Sequence, residues 1–473
     1  MVAVDSPLLY SQLLLVLTLC IVTTAAASVA RYPMSTGVDD TRFVAARGTR
    51  LVRDGRPYAV SGANYWQAMN LGMAAGPSSD RARVVRDLAA LAAHGVNMVR
   101  ILAASEGSQY GAQPDRMCPV LMPAPGEYDE DVFAGLDWFL AQLPRHNMTA
   151  VVTLANYWTW SGGAAQLVSW ATDTRIPYPE QWDPLRQERV GGDYQTYLDY
   201  TNRFYSDPTI YSTTQQWYRD HIRAVATRRN TATGVQYRDD PSIMAWELMN
   251  EPQVLGAAQG GEQQLARWID ESAQLVRALA PRQLVTTGAE SKNGRRWFEA
   301  MHRSPHITLA SCHFWPLNWG YYDSADPTST SVDYAIAKMH AFVDDNALWA
   351  RDAGKPTVLF EYGMMRDNWG PFAGLAGYSP RAPVTHRNRF FAAVAARAAA
   401  LVAQGAFAGT AFWAYAGVAR PPPAPTTELT WTGDPPHEPP GWNSVYDADA
   451  DTLAILRQFA RAIGAAPPLE DPS

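Results

Sequence analysis

The chain is poor in cysteine, in charge and in long apolar runs, and each shortage removes a class of answer. Three cysteines in 473 residues cannot staple a fold of this size, so stability has to come from a buried core. Charged residues make up 18% and the net charge is −7. No basic stretch suits a nucleic-acid backbone, so no nucleic-acid partner is expected. Beyond residue 30 no apolar segment reaches the ~18 residues needed to cross a bilayer. The nine histidines fall in no HExxH or paired Cys/His spacing, and no Gly-rich phosphate loop follows a strand. Neither a metal nor a nucleotide cofactor is implied.

What the chain has is apolar and aromatic surface. Hydrophobic residues reach 47%, with 17 Trp and 22 Tyr, enough for a large core and for flat ring faces of the kind that stack on sugars. Residues 8–21 form an apolar run, followed by small residues over 23–30. This order reads as a secretory signal peptide within residues 1–30, and the rest, 31–473, as one secreted domain. An uncleaved anchor is the alternative, because no Lys or Arg precedes the run. Asn147-Met148-Thr149 is a glycosylation sequon that fits export. Cys20 would leave with the signal. Cys312 reads as a small core residue, with a Cys118–Cys312 bridge as the alternative. A monomer is expected, and no protein partner is implied.

Short apolar runs alternate with helical periodicity, the pattern of a parallel sheet. Strands are predicted at 58–63, 97–102, 149–154, 242–248, 283–287, 308–313, 357–360 and 410–413. Eight such strands close a (β/α)8 TIM barrel. Asp54-Gly55 between two short strands predicts an N-terminal hairpin ahead of it. Helices are predicted over 80–94, 131–143, 213–229, 262–279 and 387–404. In the first, Val84, Val85, Leu88, Leu91 and Ala92 keep a helical period up to Gly95. The stretch 157–240 and the Pro-rich segment 420–440 are then long βα loops, the second because a closing helix follows it.

Function in such a barrel sits where the strands end. The fourth strand runs out as Trp246-Glu247-Leu248-Met249-Asn250-Glu251-Pro252, the seventh as Phe360-Glu361-Tyr362-Gly363. A lone Glu there is ordinarily half of an ion pair. Two of them, projecting inward from separate strands, can face each other at the ~5–5.5 Å that retaining glycoside hydrolysis requires. Spacing along the chain does not by itself fix that distance.

With Asn-Glu-Pro in one segment and Phe-Glu-Tyr-Gly in the other, the chain resembles glycoside hydrolase family 5, and within it the endo-β-1,4-mannanases, over residues 43–462. The resemblance implies Glu251 as acid/base, Glu361 as nucleophile, Asn250 on the sugar 2-hydroxyl and Arg100 bonded to Glu361. It also implies a sixth-strand His313 and Trp413 beneath the sugar being cleaved. Trp66, Asn156, Trp158 and Trp315 lie in segments similar to the mannanase branch and are expected to bind substrate. The implied reaction is endo-hydrolysis of mannan, glucomannan or galactomannan. An exo-β-mannosidase or β-1,4-glucanase is the alternative, and a non-catalytic sugar-binding barrel the remote one.

Two positions depart from the family pattern. Trp315 stands where many relatives carry Tyr, which removes a hydroxyl donor near Glu361 unless Tyr362 or a loop Tyr replaces it and makes Trp315 a stacking surface or a wall. Ala155-Asn156 stands where many carry His. Glu247 is expected as a buried partner of Arg100. Glu106 and Gln113 read as solvated loop residues, and His437 and Glu438 as lying outside the subsites.

Overall fold

In the computed structural model, residues 40–108, 116–183, 185–254, 260–424, 426 and 428–465 are described. The segment read as a signal and Gln113 lie outside them. Eight parallel strands are present: β1 (Val60–Asn64), β2 (Met98–Leu102), β3 (Thr149–Thr153), β4 (Ile243–Glu247), β5 (Leu284–Thr286), β6 (Ala310–Phe314), β7 (Thr357–Tyr362) and β8 (Gly409–Phe412). They bond in the order β5-β4-β3-β2-β1-β8-β7-β6. The open ends meet where the N–H groups of Thr308 and Leu309 donate to the Val285 carbonyl at 2.9 and 3.1 Å, so the sheet closes on itself. Each strand is buried on both faces, which is why the sequence shows unbroken apolar runs and not alternation.

Each strand is followed, directly or after an insertion, by a barrel helix: α1 (Arg81–Ala93), α2 (Glu130–Gln142), α3 (Tyr211–Thr227), α4 (Gly261–Leu279), α5 (Arg295–His302), α6 (Thr330–Asp352), α7 (Thr385–Ala403) and α8 (Ala450–Ala462). Their limits follow local chemistry. The Asp80 carboxylate accepts the Arg83 N–H at 2.9 Å and opens α1, and Gly95 at φ +78° lets the chain leave it.

The two poles of the barrel differ. At the N-terminal pole Val44 and Leu51 plug the opening against Val60, Met98, Val151, Met244 and Val358. That plug belongs to a three-stranded antiparallel sheet, Ala45–Arg47, Arg50–Arg53 and Arg56–Tyr58, turned at Asp54-Gly55. It has one strand more than the expected hairpin, and Tyr58 belongs to it and not to β1. The barrel interior is therefore dry at this end, and polar side chains collect at the other.

Two long insertions stand at the polar pole. Between β3 and α3 come helices Gly163–Thr172 and Tyr194–Ser206, with a hairpin pairing Gln181–Asp183 to Glu188–Val190. Between β8 and α8 the Pro-rich loop is pinned by Asp434, whose carboxylate accepts the Gly441 N–H at 2.9 Å, the Asn443 N–H and the Ser444 hydroxyl. The insertions touch where the Trp182 N–H donates to the His437 carbonyl at 3.3 Å. Cys312 is a buried thiol and no Cys118–Cys312 disulfide forms. Among the described residues no helix is long and apolar enough to cross a membrane.

Candidate active site

Strand register brings the polar residues together. Asn64 lies beside Arg100, Thr153 beside Glu247, and His313 beside Glu361. The last pairing depends on a register irregularity at Cys312/His313, the kind of local shift that re-aims a side chain at a sheet end. Arg100 occupies the centre. Its Nε and Nη2 donate to the two Glu247 oxygens at 2.9 and 2.6 Å, and Nη1 donates to Asn64 Oδ1 at 2.9 Å. Nη2 also reaches Asn250 Oδ1 at 2.7 Å, and Nη1 donates to Glu361 Oε1. A buried guanidinium is tolerable only when it is paired in this way. Burial opposes its charge, but Glu247 and Glu361 outweigh that and hold it protonated.

Glu251 lies just past β4 with φ at +53°, a conformation rare for a side chain without special backbone tolerance and often found where function holds a residue in place. Its N–H donates to the Gly288 carbonyl at 3.0 Å. Its carboxylate accepts the Trp158 indole N–H at 2.6 Å and lies 2.8 Å from His313 Nδ1. Across the mouth Glu361 accepts from Arg100 and from the Trp315 indole N–H at 3.1 Å. Donor atoms of Glu251, His313 and Glu361 lie within 4.8 Å of one another. That is the one group with metal-ligand chemistry among the described residues. Arg100 and the two indoles already occupy acceptor positions that a cation would need.

Burial raises the proton affinity of both glutamates. Arg100 opposes this at Glu361, whereas at Glu251 the strongest opposing influence is the Trp158 N–H. Like charges this close share the first proton as a pair, and the guanidinium bonded to Glu361 directs it to Glu251. Burial, reinforced by Arg100, pushes His313 down to about 3, so its imidazole is neutral.

The other expected residues fall in different places. Trp413 is T-shaped against Trp315 at 6.0 Å; the Trp413 Nε1 has no protein partner among the described residues. Trp315 supplies an N–H to Glu361, so the donor lost with the family's Tyr is replaced. Tyr362 does not replace it: its ring packs into the core against Phe391. Gly363 lets the Trp315 ring lie on the backbone, since a Cβ there would sit 2.7 Å from it. Trp158 presents its N–H edge to Glu251 and its face to Tyr194 and Tyr197. Asn156 is fully buried behind Asn250, its Oδ1 accepting the Asn250 amide at 3.1 Å and its Nδ2 bonded to Ser161. It holds Asn250 and does not reach the mouth. Trp66 is nearly buried, with its N–H on the Gly433 carbonyl at 2.9 Å and its ring against Trp160 and Trp431.

Of three residues read as peripheral, Glu106 is buried and His437 and Glu438 are partly buried. Glu106 accepts the Gly163 N–H at 2.7 Å, and burial lifts it to about 7. His437 stacks on Trp160 at an interplanar angle of 2°. Glu438 is lifted to about 8 by burial, with Asp434 and then Glu251 adding repulsion after it. The Pro-rich loop thus walls the Trp66–Trp160 side of the mouth. Sequence reading also missed Glu290, buried and paired with Lys292 at 2.6 Å.

Residues 41–466 match the model of the GH family 5 beta-mannosidase-like family. The chain belongs to glycoside hydrolase family 5. This family 5 enzyme is 33% identical to mannan endo-1,4-beta-mannosidase 3 of Oryza sativa subsp. japonica over 396 residues, 80% of this chain and 71% of that relative. It superposes on the family 5 mannosidase of Rhizomucor miehei with a TM-score of 0.81 at 38% identity, covering 90% of this chain and 98% of that one. A glutamate-to-alanine variant of the same mannosidase, in complex with mannosyl-fructose, gives 0.82 at 39% identity over the same shares. The endo-beta-1,4-mannanase of Thermotoga petrophila, at 19% identity and a TM-score of 0.60, shares the fold. The family 5 protein is a glycoside hydrolase.

Proposed function

We propose that this enzyme hydrolyses β-1,4-mannosidic bonds in mannan, glucomannan or galactomannan with retention of configuration. The observation that carries the stereochemistry is the approach of the two carboxylates, with donor oxygens within 4.8 Å. Retaining enzymes use carboxyls ~5–5.5 Å apart, whereas inverting ones leave ~6.5–9.5 Å for a water.

In the first step ionised Glu361 attacks the anomeric carbon as the C1–O bond breaks, and the Glu251 proton passes to the departing oxygen. In the second, the Glu251 carboxylate takes a proton from water, the water oxygen bonds to C1, and Glu361 leaves as a carboxylate. Arg100 and Trp315 hold Glu361 charged for attack. The desolvated, Trp158-bonded Glu251 keeps its proton until the leaving group needs it. Asn250 retains a second amide hydrogen for the 2-hydroxyl, and Trp413 offers a ring and a spare N–H to the bound sugar.

Endo action is supported by the plant relatives. A second reading, removal of terminal mannose, is favoured by one observation: the Pro-rich loop stacks His437 on Trp160 and walls that side of the mouth. Product sizes from mannohexaose decide between them, mixed short oligomers for endo action and mannose alone at first for exo action. Reducing-sugar release from mannans, carboxymethylcellulose and β-1,3-glucan, with Glu361→Ala as blank, tests the substrate. Activity confined to cellulose, or unchanged in the variant, would overturn the reading. Secretion as a monomer completes the proposal; mature protein in the medium beginning after residues 25–30 supports it, and an intact N-terminus in the membrane fraction contradicts it.

A further inference from the structure

Among 39 basic residues the chain uses lysine at only three positions, Lys292, Lys338 and Lys355. Lys355 is tied to the backbone carbonyls of His302 and Ser304. The other two line one hollow of about 270 Å³ together with Phe314, Trp319, Tyr321 and Phe342. In a chain that otherwise places arginine, this hollow alone brings two ammonium groups together. An ammonium is a compact charge with three donors, and placed over a ring it covers less of the face than a stacked guanidinium does. Lys292 stands 5.7 Å from the Trp319 ring centroid, and Lys338 stands 5.5 Å from that of Tyr321. Trp319 and Tyr321 are themselves only partly buried.

The hollow adjoins the catalytic carboxylates. The Lys292 ammonium pairs with Glu290 at 2.6 Å, and the Glu290 carbonyl accepts the His313 N–H at 3.1 Å. Lys292 also acts electrostatically on Glu251. Lys292 therefore divides its charge with Glu290, whereas Lys338 forms no ion pair among the described residues and leaves the hollow net positive.

We propose that this hollow is an accessory binding site for an anionic pyranose, a uronosyl unit, with Trp319 against the ring and the two ammonium groups receiving the carboxylate. Resting on the mannoside-hydrolase reading, it selects substrates that carry an acidic sugar near the bond being cleaved. Aromatic stacking supplies the contact with the ring, and the lysines supply the discrimination between acidic and neutral sugars.

The test is a ligand-observed NMR titration of the full-length enzyme with methyl β-D-glucuronoside and methyl β-D-glucoside, repeated with Lys338→Gln and Trp319→Ala. One or two partly exposed charge-assisted hydrogen bonds predict a roughly three- to tenfold preference for the glucuronoside. The preference should shrink in high salt. Lys338→Gln should abolish it while leaving mannotetraose turnover unchanged, and Trp319→Ala should weaken both ligands. Equal binding of the two glycosides, or a preference that survives Lys338→Gln, overturns the proposal. So does complete competition by inorganic sulfate with no loss in Trp319→Ala, which would indicate an anion site without a sugar site. If mannotetraose is turned over and the preference is absent, this inference fails alone. If mannotetraose is inert, the function reading fails, and the titration still decides what the hollow binds.

Discussion

Trp158→Phe removes one hydrogen bond and keeps the ring. In the intact enzyme the indole N–H donates to Glu251 Oε2 at 2.6 Å, and the ring stacks on Tyr194 and Tyr197 at 6.3 and 6.1 Å. A phenyl ring retains the stacking and loses the donor. The donor favours the ionised carboxylate, so without it the Glu251 pKa rises further. A hydrogen bond to a charged group contributes about 1.5–3 kcal/mol, and a pKa unit corresponds to about 1.4 kcal/mol, so the expected rise is about one to two units. In the proposed mechanism Glu251 has to be protonated when the bond breaks. The basic limb of the kcat/KM profile should therefore move to higher pH by that amount, while the acid limb, set by Glu361, stays nearly fixed. The assay is mannotriose hydrolysis across pH, because a substrate with a poor leaving group depends on the acid. A basic limb that stays in place, or moves down, would refute the assignment of Glu251 as the proton donor held by Trp158.

Other substitutions probe separate parts of the account. Trp315→Phe deletes the 3.1 Å donor to Glu361 and should lower kcat by about 10- to 100-fold with an unchanged melting temperature. Gly363→Ala places a Cβ 2.7 Å from the Trp315 ring, so kinetics should report an active-site defect at least as large, while circular dichroism stays native. Leu51→Ala, in the plug at the opposite pole, should cost about 2–4 kcal/mol in denaturant unfolding and leave kcat/KM at 25 °C intact. A kinetic defect there would contradict the separation of the two poles.

The barrel was legible because parallel strands buried on both faces leave unbroken apolar runs, and all eight appear within two residues of the expected limits. The carboxylates were legible because Glu251 and Glu361 follow those runs directly. What the sequence does not encode locally is orientation. It shows Trp at 158 and 315, but not that each turns its N–H edge to a carboxylate. It shows Asn156 at a strand end, but not that Asn250 stands in front of it. Glu106, His437 and Glu438 read as loop residues, because they are enclosed, fully for Glu106 and partly for the other two, by contacts between distant segments. The Trp182 N–H on the His437 carbonyl and the Trp66 N–H on the Gly433 carbonyl are two of these. The extra strand Ala45–Arg47 carries neither apolar alternation nor β-branched residues, so only its pairing with Arg50–Arg53 reveals it.

The most direct test of the central claim is proton NMR of the anomeric signals in the first minutes of mannotriose hydrolysis, before mutarotation. Two carboxylates this close predict that β-mannose configuration appears first at the newly formed reducing end, with the α-anomer following only as the sugar equilibrates. The α-anomer appearing first would mean direct attack by water, and would contradict Glu361 as a nucleophile.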